Sequence, residues 1–306
     1  MVVALALLLD IIFGDPPNRF HPTVWMGSLI TFLKRFRPHG NRFFEFMFGI
    51  FIILIGLGLT ASAGWMISYL TSALPPWAGL LVEGLFLKLA LSLRGLDHAA
   101  RDVQTALAGN DLPEARRLLS WHLVSRDTSQ LTESQVSAAA IESVAENASD
   151  GIVAPLFFYT LGGLPLALAY RFVNTADSML GYRDLEREWL GKFPARLDDV
   201  LNFIPARVTG LFIVLSAPCC GASFTKAWDI MRRDSHVTAS PNAGVPMSAM
   251  AGALRVELEK VGHYILGRGL WPPSVNDLLR ARRLLCVSVG VAAFAFMLWS
   301  MYVHTR

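Results

Sequence analysis

An all-α, polytopic integral membrane protein is the fold class this sequence predicts, and three observations predict it. Of its 306 residues 53% are hydrophobic and the mean hydropathy is +0.44, above what a soluble globular chain carries, so part of the surface must face lipid. Two unbroken apolar runs, Phe44 to Leu70 and Leu285 to Val303, reach the length of about 20 residues that crosses the hydrocarbon. Strand-like alternation is scarce, whereas the polar stretches repeat apolar residues at helical spacing.

The opening MVVALALLLDIIFG has the length of a signal h-region but lacks a basic n-region and a small-residue cleavage site, so it is expected to remain in the mature protein. After the first firm span, TSALPPWAG makes a turn with Trp77 at the interface, and Leu80 to Leu93 reads as the returning span despite Glu83 and Lys88. RGLDHAARDVQTALAGNDLPEARRLLSWHL reads as two amphipathic helices parted by Gly-Asn-Asp, the second opened by Pro113.

Two further apolar segments carry breakers: Ile152 to Tyr170 has Pro155, Gly162, Gly163 and Pro165, and Val208 to Ser223 has Gly210 and Pro218. The polar stretches Gly14–Arg42, Arg94–Gly151, Arg171–Arg207 and Lys226–Arg283 hold nearly every Lys and Arg. A preference for basic loops on the cytoplasmic side places all four there. Single crossings at both broken segments would put Arg171–Arg207 outside, so re-entrant or protein-buried helical hairpins are expected instead. No low-complexity linker and no fixed-period repeat divides the chain, which suggests one membrane-embedded domain, 1–306, with cytoplasmic inserts.

A formal charge of +3, spread along the loops, excludes nucleic acid as a partner. Cys219, Cys220 and Cys286 lack zinc-type spacing and read as apolar filler.

Acid gathers at the mouth of the first broken segment. ESVAENASDG sets Glu142, Glu146 and Asp150 four residues apart, with Asn147 among them, and a helix stacks that spacing on one face, where like charges repel. Downstream, NTADSMLGY carries Asn174 and Asp177, and ARLDDVLN carries Asp198, Asp199 and Asn202. The simpler account is a set of solvated helix faces. The sharper one is a magnesium phosphate site, because Mg²⁺ on substrate phosphates takes hard oxygen ligands and commonly one or two carboxylates. Arg126, Arg183, Arg196 and Arg207 are the candidate phosphate grips, with headgroup contact as the alternative. No G-x-x-x-x-G-K-[ST] run exists, which excludes a P-loop.

The segments DIIFGDPPNRFHPTVWMG, SRDTSQLTESQVSAAAIESVAENASDGIVAPLF, AYRFVNTADSMLGY, ARLDDVLNFIPAR and SPNAGVPMSAMAGAL, in this order over nearly the whole chain, resemble the CbiB/CobD family, the adenosylcobinamide-phosphate synthases of cobalamin biosynthesis. The resemblance implies an ATP-dependent carbon–nitrogen ligase of the bacterial cytoplasmic (inner) membrane. Its reaction would join adenosylcobyric acid to (R)-1-amino-2-propanol phosphate at a cytoplasm-facing site. ATP and Mg²⁺ are then the expected cofactors, and the corrinoid is a substrate. The expected partners are the lipid bilayer and other cobalamin-assembly membrane proteins. Under this reading Glu142, Glu146, Asn147, Asp150, Asn174 and Asp177 are the catalytic candidates, with Glu142, Glu146, Asp150 and Asp177 the metal ligands. Arg126, Asp127, Arg183, Arg196, Arg207, Asp198, Asp199 and Asn202 are candidates for the nucleotide, and Asp15, His21, Trp25, Ser240 and Asn242 for the other substrates.

The chain departs from the family's usual pattern in one region. Thr238 and Ala239 stand where His-Pro is usual, Met247 where Glu is usual, and Glu259 and Lys260 in place of Gly-Gly. That implies either a different amino alcohol or weakened catalysis. Two rivals remain: a non-enzymatic AmpE-like signalling protein, which would share the architecture without the ligase, and a transporter, which would require ionisable residues inside the spans and an inverted repeat, neither of which is evident.

Overall fold

The computed structural model describes residues 1–181 and 187–304, with side chains through Ser300. Its α-helices run in chain order as α1 (Val2–Phe13), α2 (Pro22–Lys34), α3 (Arg42–Ser72), α4 (Pro76–Lys88), α5 (Leu93–Ala108), α6 (Leu112–His122), α7 (Glu133–Ala148), α8 (Ala154–Leu180), α9 (Glu188–Leu201), α10 (Phe203–Ser216), α11 (Phe224–Asp234), α12 (Gly244–Leu254) and α13 (Val275–His304). One antiparallel hairpin, β1 (Leu258–Lys260) with β2 (Tyr264–Leu266), is the only sheet among the described residues. The chain is a polytopic α-helical membrane protein: four helices are long and apolar enough to cross a bilayer, or up to five. It divides into two compact units. The first comprises Met1–Ser92, Ala154–Asn202 and the end of the chain from Phe296; the second comprises Leu93–Val153 and Phe203–Ala295.

In the first unit the long helix α3 shows both of its environments. Gly49, Ile52, Ile53, Gly56 and Gly64 are buried, whereas Phe51, Leu54, Leu59, Trp65, Met66 and Tyr69 are exposed, as a lipid-facing side requires. The small residues let partner helices come close. A Cβ at Gly56 would collide with the Phe172 ring, and one at Gly64 would lie 2.7 Å from the Pro165 nitrogen. Ile52 and Ile53 join Met26, Ile30, Phe172, Ala176, Leu180 and Leu190 in a core shared by α2, α3, α8 and α9.

Helix α8 is broken where its sequence places breakers. Gly162 and Gly163 leave helical geometry, with Gly163 at φ +66°, a conformation natural only to glycine, and Pro165 removes a further helical donor. The consequence is visible in two rings. Phe158 and Tyr170 stack with centroids 4.9 Å apart, whereas twelve residues of straight helix would separate them by about 18 Å. The segment therefore folds back on itself, as the expected hairpin requires. The other broken segment holds the 14-residue α10, then a 3₁₀ turn at Pro218–Cys220 and a left-handed Gly221.

In the second unit every residue of α12 is buried, and α7, α10 and α11 pack around it. Helices α5 and α6 form the expected pair. Asn110 at φ 57° makes the turn, and Asp111 caps α6 by accepting from the Glu114 N–H at 3.0 Å. Helix α13 is tied to α5 through Arg282, which donates to both oxygens of Asp97 (2.8 and 2.9 Å) and to Gln104 Oε1 (2.6 Å). A reciprocal capping box between Thr132 and Gln135 starts α7. At its other end α7 widens into a π-helical turn over Ser149–Val153, a rare geometry that is frequent at functional sites.

Candidate functional site

The ESVAENASDG face grades from dry to wet along α7 and the π turn. Glu142 is buried, at 5% exposure, while Glu146 and Asp150 are half-buried and Asn147 is exposed. Burial of a carboxylate is costly unless its oxygens are answered. Here Glu142 Oε2 lies 3.8 Å from the Arg126 guanidinium, and Oε1 is buried with no hydrogen-bond partner. The Tyr264 hydroxyl and the Lys260 ammonium, both from the β hairpin, also act on this carboxyl. Burial, followed by the charges of Glu142 and Glu146, drives the Tyr264 phenol far above its ordinary value, so it stays protonated and keeps a proton to donate. Its hydroxyl donates to Met247 Sδ at 3.9 Å. Asn147 spends an amide proton on its own helix, donating to Ser143 O at 2.9 Å.

The amide and carboxylate groups of the first unit behave differently. Asp198 is buried at 8% exposure, and both of its oxygens are answered: Asn174 donates to Oδ1 at 3.3 Å and Asn202 to Oδ2 at 2.9 Å. The Tyr170 hydroxyl then donates to Asn202 Oδ1 at 2.8 Å, and Arg171 reaches Asn174 Oδ1 at 3.4 Å. The expected nucleotide residues Asp198 and Asn202 and the catalytic candidate Asn174 are thus gathered in one chain of hydrogen bonds among themselves. Arg196 pairs with Asp199 at 3.4 Å, at the wall of a cavity of about 270 Å³ that Glu188, Lys192 and Gly181 also line. Asp177 lies one helical turn before Gly181 on α8, in this same unit.

Asp15 and His21 do meet. The His21 Nδ1 accepts the Thr23 N–H and so caps α2, which leaves Nε2 as the protonated nitrogen of the neutral ring, 3.6 Å from Asp15 Oδ1. Burial alone would raise the Asp15 carboxyl. The hydrogen bond from His21, with the charges of Lys88 and Arg171, holds it below the usual carboxylate range. Lys88 is itself buried and donates to Gly14 O. Trp25 stays exposed, its indole N–H given to Arg19 O at 2.9 Å.

In the second unit Arg207 clamps the SPNAG turn. It donates to Asn242 Oδ1 at 3.1 Å and Pro241 O at 3.4 Å and lies over the Phe203 ring. Ser240 Oγ accepts from the Asn242 and Ala243 N–H groups, so this turn is built by its own side chains. The Asp127 carboxyl is held low chiefly by the Ser129 backbone N–H, which donates at 2.9 Å. Arg183 lies outside the described residues.

Among the described residues no three His, Cys, Asp or Glu side chains gather as a metal shell. Of the four expected metal ligands, Glu142, Glu146 and Asp150 belong to the second unit and Asp177 to the first. Glu142 already has two cations beside it. Glu146 and Asp150 are hard oxygen donors open to water, as an ion that keeps several of its waters prefers.

The family model described as CobD/Cbib protein matches residues 3–285. The chain belongs to the CobD/CbiB family. It is 43% identical over 303 residues to the cobalamin biosynthesis protein CobD of Dehalococcoides mccartyi, covering 96% of this chain and 98% of that one. It is 45% identical over 281 residues to the CobD of Geobacter metallireducens, covering 91% and 87%. To the cobalamin biosynthesis protein CbiB of Salmonella typhimurium it is 40% identical over 300 residues, covering 94% and 93%. No solved structure matches the chain.

Four residues of these clusters escape a reading of the carboxylate motifs: Lys260 and Tyr264 beside Glu142, and Lys88 and Arg171 beside Asp15. The hairpin had a signal, since Val256-Glu257-Leu258-Glu259 alternates before the turn at Gly262. Two of the positions that depart from the family's usual pattern come to the Glu142 group, Lys260 beside the carboxyl and Met247 through Tyr264. A third, Glu259, accepts from the Gln135 amide in the first turn of α7 at 3.4 Å.

Proposed function

We propose that this CobD/CbiB-family protein is an ATP-dependent amide ligase that joins a corrinoid propionate to an amino alcohol phosphate, with the α7 face as its reactive centre. The observation that carries the reading is the buried Glu142 carboxyl, one oxygen unanswered, set among Arg126, Lys260 and Tyr264. A membrane protein that needed only a stable core would replace such a group by an apolar one.

Making an amide from a carboxylate requires that a carboxylate oxygen become a leaving group, which transfer of the ATP γ-phosphoryl achieves. The amine nitrogen then bonds to the acyl carbon, inorganic phosphate departs, and the ammonium proton must be removed before attack. This chain's part is positioning and charge. Arg126 meets the phosphate oxygens of the amine substrate, and Glu142, buried beside it, orients the amine. Glu146 and Asp150 are the carboxylates that would hold magnesium, which on the nucleotide phosphates would neutralise charge.

The test is ATP consumption by purified protein in detergent or vesicles. Expected is ADP and phosphate release only when the corrinoid acid and the amine phosphate are both present, with the amide detected in equal amount. ATP hydrolysis indifferent to both, or none at all, removes the ligase reading.

A further inference from the structure

The hairpin β1–β2 is placed by its alternation. Leu258 pairs with Leu266 and Lys260 with Tyr264. Because side chains in a strand alternate faces with period two, these four share one face. Leu258 and Leu266 are fully buried, and β1 packs on α7, so Lys260 and Tyr264 are carried on the core-facing side. Gly262 at φ +76° supplies the turn. Gln135, in the first turn of α7, donates to Glu259 and fixes where along the helix the hairpin rests. That sets a lysine and a phenol on the side of the hairpin that packs on α7, from which both act on the Glu142 carboxyl.

Among the described residues two acids, Glu142 and Glu146, stand with two bases, Arg126 and Lys260. A triphosphate, with about four negative charges, favours a site rich in cations. A small molecule with an ammonium at one end and a phosphate monoester at the other matches two acids beside two bases. The unpartnered Glu142 Oε1 is an acceptor without a donor, and an ammonium carries three.

We propose that Lys260 and Tyr264 complete a subsite for the amine substrate, with Glu142 receiving the ammonium, Lys260 and Arg126 the phosphate monoester, and Tyr264 fixing the Glu142 carboxyl between them. This rests on the ligase reading above and names which of its substrates the α7 face takes.

The experiment compares wild type, Lys260→Gln and Tyr264→Phe in the full-length protein, using 1-amino-2-propanol phosphate and its unphosphorylated parent. For Lys260→Gln the expected result is a KM for the amine phosphate raised by about tenfold or more, with the KM for ATP unchanged and the unphosphorylated amine used as well as by wild type. Tyr264→Phe is expected to weaken both amines alike. Equilibrium dialysis of radiolabelled amine phosphate reads the same subsite without turnover. Wild-type protein that binds the amine phosphate, with Lys260→Gln binding it weakly, while no amide forms sinks the ligase reading and supports the subsite. Unchanged KM and binding in Lys260→Gln, or a rise in the KM for ATP instead, overturns the subsite while ligation stands.

Discussion

Asp198 of the first unit and Glu142 of the other resemble each other in sequence, each an acid near an amide at the edge of an oily segment, and the structure treats them in opposite ways. Asp198 has an amide donor on each oxygen, and those amides are engaged in turn by Tyr170 and Arg171. Glu142 has an arginine at 3.8 Å on one oxygen and no hydrogen-bond partner on the other. A closed network rigidifies a core, because each member is satisfied by the next. An open one holds unspent capacity, and in a buried position that capacity costs stability unless a ligand uses it.

The largest effect should come from Glu142. Glu142→Gln keeps the shape and removes the charge, and turnover is expected to fall by a factor of about 100, equivalent to about 2.7 kcal/mol of transition-state stabilisation. The thermal midpoint in detergent should hold or rise, since an incompletely paired buried charge is relieved. Wild-type turnover with corrinoid, amine phosphate and ATP all saturating would place Glu142 with Asp198 among the structural acids.

That contrast was only half legible in the sequence. The helices, the broken segment at Gly162–Gly163 and the Gly-Asn-Asp break before Pro113 follow from periodicity and turn residues, which are local. Whether a carboxylate is answered depends on residues far along the chain: Asn174 lies 24 positions from Asp198, and Lys260 and Tyr264 more than a hundred from Glu142. The short strands around Gly262 bring them there, and three-residue strands hardly register against a helical background. The unit boundaries at Ser92, Val153 and Asn202 carry no Gly- or Pro-rich linker, so composition gave no sign of them.

The next effect is on stability. Asp198→Ala leaves the buried Asn202 amide donor without an acceptor, at about 1–3 kcal/mol, and the half-buried Asn174 donor without its partner at a smaller cost. The thermal midpoint should drop clearly, while turnover per folded molecule stays within about threefold of wild type. A protein that melts normally yet has lost turnover would reverse the assignment and make the Asp198 network part of the reactive centre.

The smallest effect sharpens the comparison from the side of the cations. Arg126 and Arg196 both stand beside carboxylates. Arg126 is 26% exposed and faces a buried acid, whereas Arg196 is 71% exposed and faces Asp199. An exposed ion pair contributes about 0–1 kcal/mol, because water screens it and two long side chains must be held in place. Arg196→Ala should therefore shift the melting midpoint barely at all and leave the KM for both ATP and amine phosphate near wild type, measured at about 0.1 M salt, where surface charges are screened beyond about 10 Å. Arg126→Ala in the same assay should instead raise the amine phosphate KM, since it removes a cation from the open group. A tenfold rise in the ATP KM of Arg196→Ala would show that the cavity beside α9 takes the nucleotide. In that event the first unit holds a working site next to its closed network.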